Sequence, residues 1–465
     1  MRVIVIGGGI SGLAAAQRLL DGGAGVTVLE ASARFGGKLL TGDIAGTAAV
    51  DLGAESMLAR RPEGVALARA AGLGDELEPP TTASAAIWSR GALRPMPKGH
   101  VMGVPGDPSA LEGLLSREGL ARIAEDADAP RTEVGDDAAV GAYVAERLGP
   151  EVVDRLVEPL LGGVYAGDAY RISMRAAVPQ LYEAARAERS LLAGVRGIQE
   201  RAAAHAATGP VFMGVQGGIG RLPGAVADAC RAAGAELRTH TPVRALRRTG
   251  EGWTVVPEQG PALTADAVVV AVPAPVAGRL LADEAPAAAR ELTAVDYASM
   301  ALVTMAFRRR DLARVPEGSG FLVPPVDGRS IKAATFSANK WGWVARQDPE
   351  LFVLRTSVGR FGEEEILKRD DAELTDISLR DLESAIGLTA RPVDAKVTRW
   401  DGGLPQYPVG HPERVARVRA GLADAPGVTV CGAAYDGVGI PACAASGARA
   451  AEETLASAVG AGERE

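Results

Sequence analysis

Short apolar runs followed by glycines are the first pattern along this chain. Residues 3–6 (VIVI) are fully apolar, and a second run of this kind follows at 26–29. Runs without polar alternation are typical of strands buried on both faces of a parallel sheet. Between them, the small and apolar residues from 13 to 20 predict a helix that ends at Asp21-Gly22-Gly23. The segment is therefore predicted to form a β-α-β unit.

The pattern changes twice further along. From about 80 to 210, proline-rich turns alternate with helical patterns at 140–161 and 180–206, and strand patterns are few. Beyond this segment, the patterns predict a helix at 221–233, a strand at 267–272, β-like runs between 301 and 395, a helix around 371–386 and a buried strand at 428–432. Buried strands thus return late in the chain, so we expect the first domain to be interrupted by two insertions.

Composition narrows the classes of function. The net charge of −8 arises from 58 acidic and 50 basic residues spread along the chain, which argues against a nucleic-acid surface. Three cysteines without CxxC spacing and four histidines predict neither a metal site nor a disulfide framework. No apolar run reaches the roughly 20 residues that span a bilayer. We therefore expect a soluble cytoplasmic protein, at most peripheral to the membrane.

A glycine motif lies directly after the first predicted strand. In G-x-G-x-x-G, Gly7 permits the tight turn, Gly9 lets the backbone approach a pyrophosphate, and Gly12 allows close packing of helix on strand. The helix N-terminus then presents free N–H groups to the phosphates. An acidic residue about 20 positions on, Glu30, is placed to accept a hydrogen bond from a ribose hydroxyl. The neighbouring positions predicted to contact the dinucleotide are Gly8, Ile10, Ser11 and Ala31.

The next residues distinguish FAD from NAD. The sequence Arg34-Phe35-Gly36-Gly37-Lys38 resembles the R-x-G-G-[KR] extension of flavoproteins with two dinucleotide-binding domains. A cation and two exposed backbone amides would add contacts to the phosphates. FAD is therefore the predicted cofactor, with Arg34, Gly37 and Lys38 among its contacts.

Beyond this extension the chain resembles the flavin amine oxidase superfamily, in particular its protoporphyrinogen/coproporphyrinogen oxidase branch of the Gram-positive type. The resemblance spans nearly the whole chain. Its most specific stretches are DLGAES (51–56), VEPLLGGVYAGD (157–168), KW (340–341), RWDGGLPQYPVGH (399–411) and GAAYDGVGIPACAASG (432–447).

The resemblance implies a fold and its division. The fold class is α/β (α+β): a Rossmann-like FAD-binding domain of the para-hydroxybenzoate hydroxylase type, a β-rich substrate domain and a helical insertion. The FAD domain is expected at 1–80, 211–300 and 396–465, the helical insertion at 81–210 and the substrate domain at 301–395. Within the insertion, the apolar residues of 93–106 indicate either a membrane or partner contact or a loop that covers the substrate slot.

The resemblance also implies further flavin contacts. They comprise a second turn that approaches the flavin, a backbone position that meets the adenine, a flavin-adjacent tryptophan and the start of the C-terminal helix, namely Gly53, Ala54, Glu55, Val243, Trp400, Gly432, Val438, Gly439 and Ile440. A helix N-terminus directed at the flavin would stabilise its anionic reduced form.

The implied reaction is the oxidation of a porphyrinogen to a porphyrin in heme biosynthesis, with O2 as acceptor and H2O2 as product. It depends on positioning and hydride transfer, and no acid–base constellation is predicted from the sequence. The macrocycle would contact Gly320 and Leu322, and its propionates are expected at basic residues, for which the candidates are Arg94, Lys98, Lys332 and Lys340.

Alternatives remain open at this point. Coproporphyrinogen III is favoured over protoporphyrinogen IX, because the chain resembles the Gram-positive type. An amine oxidase would use an aromatic cage beside the flavin, whereas aromatic residues make up only 4% of this chain. A flavin-bearing scaffold that binds porphyrin intermediates or a downstream heme-pathway enzyme without turnover is the non-enzymatic alternative.

Overall fold

A parallel sheet of five strands forms the first layer of the computed structural model, which describes residues 1–204 and 209–462. The two apolar runs pair in parallel, with Val3 opposite Val26. Four of the five strands contain buried aliphatic side chains, and in the strand Glu236–Arg238 the side chain of Leu237 is partly buried. In spatial order the strands are Glu236–Arg238, Gly25–Leu29, Arg2–Ile6, Ala267–Val270 and Val428–Val430. The β-α-β unit is confirmed, and the sheet draws its strands from three separated segments of the chain.

Small residues let two helices cross closely on this sheet. Helix Ile10–Asp21 buries Ala14, Ala15 and Ala16, and the long helix Ile440–Gly462 packs against it. A Cβ at Gly447 would lie 2.1 Å from the carbonyl oxygen of Ser11, so only glycine fits at this crossing. Helices Pro62–Ala70 and Leu222–Ala232 complete this face.

A second, mostly antiparallel sheet has seven strands. In spatial order they are Asp394–Pro405, Tyr297–Arg308, Leu351–Val358, Ile331–Thr335, Gly320–Leu322, Ala85–Ser89 and Ala92–Pro95. The last two come from the segment predicted to be mainly helical. Ala85–Ser89 is short and gains its pairing from the parallel neighbour Gly320–Leu322, a long-range contact that local pattern does not reveal. Because strands of this sheet come from all three predicted parts, the domain limits stay a prediction.

Helices dominate residues 117–204. They are Arg117–Ala124, Val140–Leu148, Pro150–Val152, Glu158–Tyr165, Met174–Ala177, Pro179–Ala187 and Leu191–Ala204, with a π-helical turn at Val153–Val157. The helix predicted at 140–161 is interrupted at Gly149-Pro150, because Gly149 adopts a positive φ of 91°. The helix predicted at 180–206 is interrupted between 187 and 191, and its residues 205 and 206 lie outside the described chain.

Smaller elements connect these layers. The remaining strands form short sheets: Thr41–Ile44 with Thr47–Asp51, Met57–Leu58 and Leu77–Glu78 with Phe212–Val215, His100–Val101 with Val104–Pro105, and Val243–Thr249 with Gly252–Pro257 and Leu263–Ala265. The remaining helices are Ala274–Leu280, Pro286–Thr293, Ser337–Lys340, Gly342–Gln347, Asp371–Ile386 and His411–Gly421. The helix predicted around 371–386 is confirmed with the same limits.

The segment 93–106 packs onto the helical part of the chain. Val101 and Val104 are buried in its core, and Met96 and Met102 pack against the same core. A Cβ at Gly103 would lie 2.7 Å from Cα of Val157, so the segment fits closely on the π-helical turn. Within residues 1–204 and 209–462, no helix combines the length and apolar character needed to cross a bilayer.

A buried ion pair joins the helices of this region. The guanidinium of Arg147 donates from Nε to Asp126 (2.7 Å), whose carboxylate also accepts hydrogen bonds from Ser190 Oγ and the Leu192 amide. Both side chains are almost fully buried. Breaking such a pair leaves a buried charge without a partner.

We expect Asp126→Asn to lower the free energy of unfolding by about 3–5 kcal/mol, because Arg147 would keep its charge without a counter-ion. Urea denaturation measures this value. The matched control is Asp376→Asn, which breaks an exposed pair with Arg391 and should cost less than about 0.5 kcal/mol. Equal losses in the two variants would contradict this interpretation of the buried pair.

Candidate functional site

Two of the three motif glycines are required by the backbone. Gly7 has φ +108°, and a Cβ there would lie 2.4 Å from the carbonyl oxygen of Ala271. A Cβ at Gly12 would lie 2.0 Å from the carbonyl oxygen of Gly7. Larger residues at either position would therefore displace the helix from the sheet.

Gly9 differs, because no neighbouring atom in the structure would exclude a side chain at this position. Its φ of −71° and ψ of 174° suit any residue, and a Cβ there would meet no atom within 4 Å. Gly9 caps helix Ile10–Asp21 without a side-chain hydrogen bond, so the helix N–H groups of this open side are free for an anion. Ile10 and Ser11 form the buried first turn. This open cradle at a helix N-terminus fits a dinucleotide pyrophosphate.

The carboxylate of Glu30 is held at the end of the second strand. It accepts hydrogen bonds from the backbone amides of Gly8 (2.7 Å) and Ser32 (2.8 Å). Its position beside the glycine turn is compatible with the predicted ribose contact, which stays a prediction. Val243 begins the strand Val243–Thr249 nearby, since the Thr241 amide donates to the carbonyl of Glu30.

The loop after Glu30 folds back over the glycine turn. The Gly36 amide donates to the carbonyl of Gly8 (2.8 Å), and a Cβ at Gly37 would lie 3.5 Å from Cα of Gly9. The guanidinium of Arg34 donates to the carbonyls of Phe35, Gly37 and Leu39. Arg34 therefore stabilises the loop through hydrogen bonds to the loop's own backbone. This role is additional to the predicted contact with the phosphates. Burial lowers the pKa of Lys38, whose Nζ lies 5.8 Å from the ring centre of Tyr297.

The turn at 51–55 joins the dinucleotide part to the seven-stranded sheet. Burial opposes ionisation of Glu55, but Arg355 and Lys340 outweigh it and hold the pKa of this carboxyl below its usual value. Arg355 pairs with Glu55 at 3.1 Å and also donates to the carbonyl of Gly53 (2.7 Å). Lys340 pairs with the same carboxylate. Lys340 thus already has a counter-ion within the protein.

Asp51 fixes the other end of this turn. Its carboxylate accepts hydrogen bonds from the amides of Ile219 (3.0 Å) and Gly220 (3.0 Å), at the start of the helical segment that continues into Leu222–Ala232. Burial is the main cause that raises the pKa of Asp51 to about 6.

Trp400 closes the turn from the sheet side. Its indole Nε1 donates to the carbonyl of Leu52 (3.1 Å), and a Cβ at Gly53 would lie 2.2 Å from the Lys38 carbonyl oxygen and 3.1 Å from the indole ring. Only glycine therefore fits at position 53, because the Lys38 backbone and the Trp400 ring approach it closely from two sides. Trp400 lies opposite Met300 in the sheet.

A tyrosine fixes the loop that precedes the C-terminal helix. The hydroxyl of Tyr407 donates to the carbonyl of Ala433 (2.5 Å) and accepts from the amide of Gly437 (2.8 Å). Gly432 and Gly437 both have positive φ, and Val438 and Gly439 lead into the helix that begins at Ile440. The ring of Tyr407 stacks on His411 at 3.8 Å. The stretch at 399–411 contained Tyr407, but no role was predicted for it, because its partners lie about 30 residues away in the sequence.

A cavity lies between helix Glu158–Tyr165 and the seven-stranded sheet. A Cβ at Gly163 would lie 4.0 Å from Leu322 Cδ2, so the helix backbone faces this strand directly. The Phe361 amide donates to the carbonyl of Ala166 (2.7 Å) and fastens the end of the helix to the sheet. The cavity has a volume of about 280 Å³ and is lined by Asp154, Glu158, Gly167, Asp168, Tyr170, Pro325, Val326, Arg360, Phe361 and Glu363.

Lys332 lies at the inner side of this region. Its side chain is 8% exposed, and the polar contact that the structure gives its ammonium is the Met300 sulfur at 3.9 Å. Burial, followed by the neighbouring Arg360, lowers the pKa of Lys332 to about 7. Met300, which this ammonium contacts, lies opposite Trp400 in the sheet. A buried cation without a counter-ion among residues 1–204 and 209–462 suits an anionic ligand.

The other predicted substrate contacts are distributed differently. Arg94 donates to the carbonyl of Ser89, and Lys98 is exposed. Gly320 has φ +134°, and a Cβ there would lie 2.1 Å from the carbonyl oxygen of Ala334, so strand pairing alone explains this glycine. Glu158 and Arg360, which line the cavity, were not predicted as site residues.

Comparisons with known proteins find one family and several relatives that match nearly the whole chain. The model of the family described as flavin containing amine oxidoreductase matches residues 10–455. A coproporphyrinogen III oxidase of Mycobacterium tuberculosis is 39% identical over 459 residues, which cover 97% of this chain and 96% of the relative. A coproporphyrinogen III oxidase of Bacillus subtilis is 33% identical, and 97% of each chain is covered. A crystal structure from Exiguobacterium sp. 255-15, assigned to protoporphyrinogen oxidase, has a TM-score of 0.86 at 34% identity over 98% of each chain.

Gly9 offers a test of the cradle that leaves the fold intact. We expect Gly9→Ala to fold normally, because its backbone angles suit alanine and its Cβ meets no protein atom. The methyl group would nevertheless occupy the space of the pyrophosphate and weaken dinucleotide binding at least about tenfold, or about 1.4 kcal/mol. Flavin content after purification and fluorescence titration of the apoprotein measure this effect.

The matched control is Gly224→Ala, since Gly224 is also surrounded by open space but lies on the exposed face of helix Leu222–Ala232. Its flavin affinity should equal that of the unmodified protein. Full flavin affinity in Gly9→Ala would show that the cradle does not hold the pyrophosphate.

Proposed function

The chain belongs to the family of flavin-containing amine oxidoreductases, and from this premise we propose that it oxidises coproporphyrinogen III to coproporphyrin III in heme biosynthesis. The chain is an FAD-dependent oxidoreductase, and O2 is the proposed final acceptor, with H2O2 as the product. Relatives between 30% and 39% identical over nearly the whole chain are named for this substrate.

The slot between helix Glu158–Tyr165 and the sheet supports this substrate. Gly162 and Gly163 give the helix a flat surface opposite Leu322, which suits a wide apolar ring. The observation that supports the proposal most is Lys332, a buried ammonium without a carboxylate partner in the described chain. It would pair with a propionate of the macrocycle, a charge-assisted bond that an amine substrate could not make.

The protein residues mainly position the two reactants. FAD, when bound, supplies the two-electron chemistry by accepting a hydride. Gly9 and the following helix N-terminus hold its pyrophosphate, and the loop shaped by Arg34 closes over this turn. Trp400 and Gly53 would set the position of the ring system beside the substrate slot, and Tyr407 would fix the loop in front of helix Ile440–Gly462. Such positioning accelerates transfer without a strong acid–base pair.

The reaction itself can be tested in air. We expect the purified yellow protein to convert coproporphyrinogen III into a fluorescent porphyrin with release of peroxide, well above autoxidation. Protoporphyrinogen IX, which has two propionates instead of four, should react less efficiently. Reaction with protoporphyrinogen IX alone would reassign the substrate within the branch. Peroxide formed from amines, without porphyrinogen turnover, would contradict the proposal, as would porphyrin formation that requires an added partner enzyme.

Lys332→Met tests the proposed propionate contact. We expect KM for coproporphyrinogen III to rise about ten- to a hundredfold with a smaller change in kcat, because a charge-assisted hydrogen bond contributes about 1.5–3 kcal/mol to binding. The control is Lys368→Met, which removes an ammonium that is 74% exposed and pairs with Glu365. An unchanged KM in Lys332→Met would show that the propionates bind elsewhere.

A further inference from the structure

Glu158 is a charged side chain of the stretch 157–168 for which the proposed function assigns no role. It begins helix Glu158–Tyr165, and its carboxylate lines the cavity against the sheet. Within residues 1–204 and 209–462 the structure gives this carboxylate neither a hydrogen bond nor an ion pair. A largely buried carboxylate without a partner is costly, and such groups concentrate at functional sites.

The position of the carboxylate is defined by the glycines that follow it. A Cβ at Gly162 would lie 3.2 Å from one carboxylate oxygen of Glu158, so the side chain lies along the helix over Gly162. The next residue, Gly163, lies close to Leu322 of the sheet, since a Cβ there would be 4.0 Å from Leu322 Cδ2. The carboxylate therefore lies at the edge of the flat surface on which we place the macrocycle.

The charged groups around Glu158 come from both walls of the cavity. Lys332 and Arg360 face it from the sheet side, together with Glu363, while Asp168, Asp154 and Tyr170 belong to the helical side. Burial is the largest influence and raises the pKa of Glu158 to about 7, against the opposing effect of Arg360 and Lys332. A carboxyl with this pKa exchanges a proton readily at neutral pH.

Oxidation of a porphyrinogen releases a proton as well as a hydride in each two-electron step. The C–H bond of a bridging methylene breaks and its electron pair leaves with the hydride to FAD. In two of the three steps the N–H bond of the adjacent pyrrole breaks, its electron pair stays on the ring to complete the new conjugated double bonds, and a proton is released. In the remaining step the proton comes from the C–H bond of the fourth methylene, because the porphyrin keeps two of the four N–H groups. After hydride loss the macrocycle is cationic, so a nearby carboxylate would stabilise it.

We propose that the Glu158 carboxylate accepts this pyrrole proton, balances the transient positive charge of the macrocycle and passes the proton to solvent through the mouth of the cavity. This assignment rests on the proposed porphyrinogen oxidation. Lys332, at the same end of the slot, would favour the ionised form of Glu158. Glu158 is then a catalytic residue, whereas Lys332 is a binding residue.

The test is anaerobic single-turnover mixing of the FAD-loaded protein with saturating coproporphyrinogen III, followed by the loss of flavin absorbance. We expect Glu158→Gln to lower the rate constant of flavin reduction about 100-fold, the usual contribution of a general base. Binding of coproporphyrin III to the oxidised protein, measured by fluorescence titration, should change less than about threefold, since the two side chains have nearly the same shape. Glu158→Asp should recover part of the rate.

The pH profile distinguishes a chemical role from a structural one. In the unmodified protein the rate constant should rise as the pH increases through about 7, because the ionised carboxylate is the active form. Glu158→Gln should lack this rise. The control is Glu365→Gln, whose side chain is 83% exposed, and it should behave like the unmodified protein.

The outcomes separate this assignment from the proposed function. If flavin reduction is equally fast in the unmodified protein and in Glu158→Gln, Glu158 is not the proton acceptor, although the oxidase activity stands. A lower rate accompanied by an equal loss of coproporphyrin III binding would also overturn the assignment. Absence of flavin reduction in the unmodified protein would overturn the proposed function and this inference together.

Discussion

The buried carboxylate of Glu55 connects the two halves of the site. It belongs to the turn that leaves the dinucleotide part, and its partners Arg355 and Lys340 belong to the seven-stranded sheet and the short helix beside it. Because a buried charge is tolerated only with its partners in place, this contact fixes how the turn meets the sheet. Gly53 is thereby held against Trp400, and the position of the substrate slot relative to the cofactor cradle follows from it.

Charge is distributed unequally along the slot. At the turn, Glu55 is compensated by two cations, so it serves the fold rather than the reaction. At the cavity, Lys332 and Glu158 lie near each other without forming an ion pair, and burial shifts both pKa values towards neutrality. The first arrangement is rigid and the second is available to a ligand. This contrast separates structural from functional charges among residues of the same chemical type.

The sequence alone predicts those parts of the molecule that depend on local pattern. Gly7, Gly9 and Gly12 indicate the dinucleotide turn, because their spacing directly after a strand is a local sequence pattern. Helix Asp371–Ile386 also follows from its own residues, including the capping box of Asp370 and Glu373. In contrast, strand Ala85–Ser89 joins the sheet by pairing with Gly320–Leu322, more than 200 residues away, which no local pattern encodes. The edge strand Ala92–Pro95 then forms a hairpin with Ala85–Ser89. The same limit applies to Lys340, predicted for a propionate, and to Glu158, for which no role was predicted. The ion pair of Lys340 with Glu55, and the lack of a partner for Glu158 within the described part of the chain, become visible only in three dimensions.

The central claim is that protein-bound FAD removes the electrons of coproporphyrinogen III. An anaerobic titration of the FAD-loaded protein with this substrate measures it most directly, with flavin absorbance and porphyrin fluorescence recorded together. Because the conversion releases six electrons and each FAD accepts two, the account predicts about three reduced flavins for each coproporphyrin III formed. Porphyrin that forms while the flavin stays oxidised, or a flavin that coproporphyrinogen III does not reduce, would contradict it.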